Sequence, residues 1–325
     1  MQRRQLLTST GAGVTLALSG CLSSGNGSDD TDGGDSPEPE GSESNDEALE
    51  DASDDLEEAF DRIDEEVDVS FQANSVDPIN SSAIENSIEN AENALDEFEE
   101  DEADEDQLSV YDSLRATAEF AQTFFEVILE FESAIGAFDT AVSYENNGRY
   151  NDAVGQLETA LTHFENAAEL LEDAEGAWEG VEAIDSDDQL DIADAKDELD
   201  QLADVTDAYI LFTEAAINFD AGYAFYLEAV NEYEQEQYAE SANTFGEAAL
   251  EFESAADQYR SGEDEVSSSL RSTFINMTCY SESLQESSEL FEESADAAED
   301  GRYQTANDRA TEAEEALDAG CGGSV

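Results

Sequence analysis

Chemistry in this chain would have to come from sulfur, from one imidazole or from carboxylates. Cys279 and Cys321 have no histidine near them in the sequence, which makes a poor zinc site. They can instead form a disulfide or remain two free thiols. Asp300 lies midway between them, 21 residues from each, and Gly320, Gly322 and Gly323 give the tail freedom to fold back. Antiparallel helices turning near Asp300 would bring both cysteines to the same height. His163 is the single histidine and sits beside Phe164. A lone imidazole lacks the partners that catalysis or metal binding requires, so a structural or solvent-facing role is expected. The 86 acidic residues put paired carboxylates everywhere, so none can be singled out for acid–base work. No G-x-S-x-G, H-E-x-x-H, P-loop or dinucleotide fingerprint occurs, and Asp187-Asp188 lacks the spacing of a calcium loop. The expectation is a non-enzyme with no cofactor and no metal. An enzyme would have to reveal itself through a buried carboxylate pair or a strained turn in a cleft. Asn26, Asn80 and Asn276 each begin an N-x-S/T sequon; Asn26 and Asn80, in expected loops, are the better glycosylation candidates.

Any such residue is positioned by helices. Proline occurs only at Pro37, Pro39 and Pro78, so nothing after residue 78 interrupts a helix. Good helix formers abound and strand-like alternation is absent. Leu114, Ala121, Ile128, Ile135 and Val142 recur every seven residues, with Phe124, Phe131 and Phe138 offset between them. Tyr150, Leu157, Phe164, Leu171 and Trp178 form a second such stripe, with Ala153, Ala160, Ala167, Ala174 and Val181 offset. These stripes predict long helices at shallow crossing angles, and they make the aromatic rings core rather than a ligand box. Helices are expected over 44–67, 81–100, 107–146, 150–182, 189–236, 238–260, 264–299 and 303–318. A break is expected within 189–236, near Leu202–Asp207, and the acidic run 99–106 should be a connector. The fold class is all-α, with long antiparallel hairpins following a disordered N-terminal tether.

The formal net charge is −76, with 10 Lys+Arg in 325 residues. No basic footprint for nucleic acid exists, and an anionic membrane would repel the chain unless something tethered it. Self-repulsion opposes compaction in dilute salt and is screened at molar salt, where the Debye length is about 3 Å. The composition resembles that of proteins from extreme halophiles, and the resemblance implies adaptation to concentrated salt.

The N-terminus carries Arg3-Arg4, then Leu6-Leu7 and an apolar stretch from Val14 to Leu18, with no acid before Cys21. This pattern fits a secretory signal, too short to remain as a membrane span. Arg3-Arg4 resembles the signal of the twin-arginine route, and Leu18-Ser19-Gly20-Cys21 resembles a lipobox. The resemblance implies cleavage before Cys21 and lipid on its sulfur. Residues 22–45 are almost without apolar side chains; such a segment is disordered and spans roughly 25–30 Å.

Three stretches share one turn. Tyr150, Tyr238 and Tyr303 each follow a short turn; three residues later come Ala153, Ser241 and Ala306, and nine residues before come Ala141, Ala229 and Ser294. Small residues there let two helices cross closely. Gly148 and Gly301 suit a left-handed helix end, while the second copy has Glu236. The pattern resembles the G-x-Y-x-x-A turn of the tetratricopeptide repeat, which implies antiparallel helical hairpins. The tyrosines are 88 and 65 residues apart, against the family's period of about 34, so irregular hairpins rather than a regular array are expected.

The organisation expected is a signal peptide over 1–20, a lipidated Cys21 with its tether over 21–45, an N-terminal hairpin over 46–100 and a hairpin-repeat domain over 101–325. The leading functional expectation is a lipoprotein at the extracytoplasmic face of the membrane. It would hold a protein partner as a non-enzymatic scaffold and bind no nucleic acid. The alternative is a solute-binding accessory lipoprotein of a transporter, which needs a deep pocket near Trp178 or Tyr223–Tyr226.

Overall fold

The computed structural model describes residues 42–72, 81–182, 193–319 and 321. The described residues form eight α-helices in sequential antiparallel packing, with no strand among them. They are α1 (Ser42–Gln72), α2 (Ser81–Asp96), α3 (Glu105–Glu145), α4 (Tyr150–Glu182), α5 (Ala193–Glu234), α6 (Tyr238–Gly262), α7 (Ser268–Glu299) and α8 (Tyr303–Ala319). No helix among the described residues is long and apolar enough to cross a membrane. Contacts divide the chain into two units.

One unit holds the described residues up to Glu132 together with Asn166–Ala203. Here α1 packs on α2 through Ala52, Leu56, Ala59, Ile84, Ala91 and Leu95, all buried. The acidic connector contains a single 3-10 turn, Glu100–Glu102, and polar bonds fix both of its ends. Asn45 Nδ2 donates to the Glu99 carbonyl (3.2 Å), and Asn45 Oδ1 accepts from the Glu99 N–H (3.0 Å). Asp104 caps α3 by accepting from the Gln107 N–H (2.9 Å), and Gln107 Oε1 accepts from the Asp104 N–H (3.1 Å). This reciprocal pair satisfies N–H groups that a helix start leaves unpaired. Asn45, where the expected tether over 22–45 and the expected helix over 44–67 overlap, belongs to the helix: it is buried in the first turn of α1, and its amide bonds to the Glu99 backbone beyond α2. Phe120 and Trp178 pack edge to face, with centroids 5.1 Å apart, so the tryptophan belongs to the core.

The other unit holds Ser133–Glu165 and the chain from Asp204 onward. Ala141 of α3, Ala153 and Leu157 of α4 and Ala216 of α5 form one cluster. Ala215 and Phe212 of α5 meet Tyr259 of α6 and Phe274 of α7 in a second. Tyr226, Ala229, Phe245, Phe252 and Leu284 form a third, against which Phe291 and Leu317 pack. Helix α5 thus has neighbours on several sides, which explains its weakly amphipathic sequence. The break expected near Leu202–Asp207 does not occur: α5 runs unbroken from Ala193 to Glu234. That stretch holds neither Gly nor Pro, and Leu202 and Thr206 are buried along it.

Ion pairing reaches every described cation. Arg62, Arg115, Arg149, Lys196, Arg260, Arg271, Arg302 and Arg309 each contact a carboxylate. Arg115–Asp96 (2.6 Å) ties α3 to α2, Arg260–Glu282 (2.6 Å) ties α6 to α7, and Arg309–Glu293 (2.8 Å) ties α8 to α7. These pairs are half-exposed, and each contributes about 0–1 kcal/mol.

Candidate functional site

The three recurrent turns are built alike. Each closes with two backbone bonds: Arg149 N–H to the Tyr144 carbonyl and Gly148 N–H to that of Glu145 in the first, Gln237 to Glu232 and Glu236 to Tyr233 in the second, Arg302 to Ala297 and Gly301 to Ala298 in the third. That is the Schellman arrangement, which requires a left-handed residue just past the helix end. Gly148, Glu236 and Gly301 hold that position with φ of 71°, 62° and 73°. Glu236 therefore adopts the glycine conformation despite its Cβ. Tyr150, Tyr238 and Tyr303 each begin the next helix. Tyr150 is buried and stacks on Tyr223 (4.9 Å), Tyr238 meets Tyr233 edge to face (5.3 Å), and Tyr303 is exposed.

The small residues flanking each turn are buried opposite one another. In the second hairpin Ser241 Oγ donates to the Ala229 carbonyl (2.8 Å); in the third, Ser294 Oγ donates to the Ala306 carbonyl (2.8 Å). The first hairpin has Ala141 and Ala153 at these places, both fully buried. One crossing thus recurs three times, with the hydroxyl on the second helix, on the first, or absent.

Cys279 on α7 and Cys321 beyond α8 form a disulfide with Cα atoms 5.7 Å apart. It closes the end of the α7–α8 hairpin opposite to the Asp300 turn.

Sequence reasoning missed a carboxylate pair in which Asp220 is buried and Glu145 half-buried. Glu145 ends α3 and Asp220 lies within α5; the two side chains are hydrogen-bonded to each other. Asp220 is 1 % exposed. Burial, then the Glu145 charge and the bond to Glu145, pushes the Asp220 carboxyl well above the ordinary carboxylate range. Burial also raises Glu145, which the bond from Asp220 partly offsets. Both directions favour a proton held by the pair, because two carboxylates in contact and shielded from water do not both ionise cheaply. Tyr150 and Tyr259 interact electrostatically with both acids, and burial is the main cause that raises each phenol. Asp220 Oδ2 and the Tyr259 hydroxyl are buried without a hydrogen-bond partner. The sequence did carry a signal: over 207–227, DAYILFTEAAINFDAGYAFYL, only Asp207, Glu214 and Asp220 are charged. Thr206, Thr213 and Asp220, seven residues apart, are all buried.

A groove of about 410 Å³ opens in the first-described unit between α3 and α4. Glu119, Glu126 and Asp173 rim it, and Ala116, Gly176 and Gly180 line it. Tyr223 stacks on Tyr150, and Tyr226 lies edge-on to Phe245 (5.5 Å) and Phe291 (6.0 Å). Among the described residues no group of three or more His, Cys, Asp or Glu is gathered to hold a metal. His163 is half-buried on α4. Arg3, Arg4, Cys21, Asn26 and Asn80 lie outside the described residues.

No known protein family, curated protein or solved structure matches this chain.

Proposed function

We propose that this protein is an exported, lipid-anchored scaffold that holds a protein partner at the extracytoplasmic face of the membrane in concentrated salt. The observation that carries the scaffold reading is the thrice-repeated crossing, which fixes long helices by backbone geometry and small-residue contact. Its turns are tetratricopeptide-like, and helical hairpins of that kind serve protein contact rather than chemistry. The anchoring half rests on Arg3-Arg4 and Leu18-Ser19-Gly20-Cys21. The Cys279–Cys321 disulfide supports it, since such bonds persist in oxidising compartments. Adaptation to salt is supported by eight described cations already committed to carboxylates among 86 acids.

Two experiments separate the halves of this reading. Cys21→Ser should move the protein from the membrane fraction to the medium; retention in the membrane would refute the anchor. Carboxylate-directed crosslinking on intact cells in native salt should capture one recurrent partner, and crosslinks confined to the chain itself would refute the scaffold.

One observation favours solute capture as a second reading. The α3–α4 groove has the volume of a small-ligand site, about 300–1,000 Å³, and its acidic rim would select a cationic solute. Thermal stabilisation by small organic cations, lost in Glu119→Gln with Glu126→Gln, is the outcome that this reading requires.

A further inference from the structure

We infer that the cluster of the buried Asp220, Tyr150 and Tyr259 with the half-buried Glu145 is a binding site for a monovalent alkali cation, which enters in exchange for a proton. The inference is independent of the anchoring and scaffold readings. It starts from two unsatisfied oxygens. Asp220 Oδ2 and the Tyr259 hydroxyl are buried with no hydrogen-bond partner, and Tyr259 is fully inaccessible. Leaving such an atom bare costs about 1–3 kcal/mol, and a buried unpaired group in a native fold commonly marks an ordered water or ion. The two atoms belong to one cluster: Asp220 is hydrogen-bonded to Glu145, and Tyr259 interacts electrostatically with both acids.

The charge balance selects the ligand. Glu145 comes from the last turn of α3, Tyr150 from the first residue of α4, Asp220 and Tyr223 from α5, and Tyr259 from α6. Every one of these groups is acidic or phenolic, so among the described residues none of the cluster supplies a positive charge. Arg149, the nearest cation in sequence, is turned to Asp152 (2.7 Å) and lies over the Tyr144 ring (4.3 Å). Two carboxylates in contact need either a proton or a cation between them. A hard cation suits carboxylate and phenol oxygens. Calcium takes about 6–8 oxygens, several of them usually carboxylate, and only two carboxylates meet here. A singly charged ion can take the place of the shared proton and leave the net charge of the pair unchanged. The surface field of a chain with net charge −76 concentrates such ions around the protein.

The exchange is balanced as follows. In the proton form, the Asp220 carboxyl donates to the Glu145 carboxylate. When the cation binds, Asp220 releases that proton to solvent, both carboxylates face the ion, and the Tyr259 and Tyr150 hydroxyls offer further oxygen lone pairs. The bound ion then ties the end of α3 to α5 and α6, so the site would couple packing in this unit to the cation supply.

The test uses the full chain, with potassium or sodium chloride compared against tetramethylammonium chloride at equal ionic strength. Surface titration responds to both salts alike, whereas tetramethylammonium is too large for a closed site. In a pH-stat near neutrality, the wild-type protein should release up to about one more proton per chain in potassium or sodium than in tetramethylammonium. Asp220→Asn and Glu145→Gln should abolish the difference. Tyr259→Phe preserves both acids and the ring, and should reduce the alkali-specific rise in melting temperature. Crystals soaked in a thallium(I) salt should give an anomalous peak between Asp220 and Glu145. Equal release in the two salts, an undiminished difference in the variants, or no peak at the pair would overturn the inference.

Discussion

Replacing Glu236 by glycine should stabilise the protein by about 0.5–1 kcal/mol. Glu236 holds φ at 62°, where the equivalent turns use Gly148 at 71° and Gly301 at 73°. A left-handed conformation costs a residue with a Cβ roughly 1–2 kcal/mol. Glycine removes that strain and gives back about 0.5–1 kcal/mol as added freedom in the unfolded chain. Glu236 is exposed, so no packing is lost. For a chain of this size the gain corresponds to a rise in melting temperature of about 1–4 °C. Unfolding followed by far-ultraviolet circular dichroism in molar salt is the suitable assay, because salt at that level screens the lost charge. Glu236→Gln serves as the control: it removes the charge and keeps the Cβ, and should leave stability unchanged. Conversely, Gly148→Ala and Gly301→Ala should each lose about 1–2 kcal/mol, although their Cβ atoms would meet no neighbour within 4 Å. The reasoning fails if Glu236→Gly is neutral or destabilising, or if the glutamine variant gains as much.

Three other outcomes follow from the packing. Cys279→Ser opens a loop of 42 residues, so it should cost about 4 kcal/mol in chain entropy, and hydrogen exchange should show α8 losing protection first. Gly222→Ala should cost about 1–3 kcal/mol by overpacking, since its Cβ would stand 2.8 Å from the Phe252 ring; chemical denaturation measures it. The third concerns pH. Burial raises the Asp220 carboxyl in the fold above the unfolded value of 3.8, so folding there favours the protonated form. That contribution is complete below 3.8 and is lost as pH rises through the raised folded value. In tetramethylammonium chloride, wild-type stability should therefore fall across this window relative to Asp220→Asn, and parallel curves would contradict the assignment.

The helices and their crossings were legible because both leave periodic marks. Leu114, Phe131, Leu157 and Phe164 fall on heptad stripes and are buried. Ala141, Ala229 and Ser294 were visible because small size is a type of signal that sequence carries directly. The helix over 189–236 was legible but the break expected near Leu202–Asp207 does not occur, because Leu199, Leu202 and Thr206 hold that stretch in the core. The role of Asn45 was hidden because it depends on the backbone of Glu99, 54 residues away, and no local pattern encodes that distance. Glu145 and Asp220 were two acids among 86. Only tertiary burial sets them apart, and the apolar company of Asp220 along α5 was the one clue available in advance.

The two serines at the crossings bear on how such a chain can change through descent. Ser241 lies on the second helix of its hairpin and Ser294 on the first; each donates to a backbone carbonyl, and Ser294 Oγ also meets the Tyr233 hydroxyl at 3.1 Å. A carbonyl is present whatever residue carries it. The crossing at Ser241 can therefore mutate between alanine and serine without waiting for a matching change opposite, whereas loss of Ser294 would also unpair Tyr233, and the pair in the first hairpin carries no hydroxyl at all. Lineages can diverge at these places while side-chain volume stays fixed. Ancestry in such hairpins is recorded in the spacing of small residues around each turn, and residue identity erodes first.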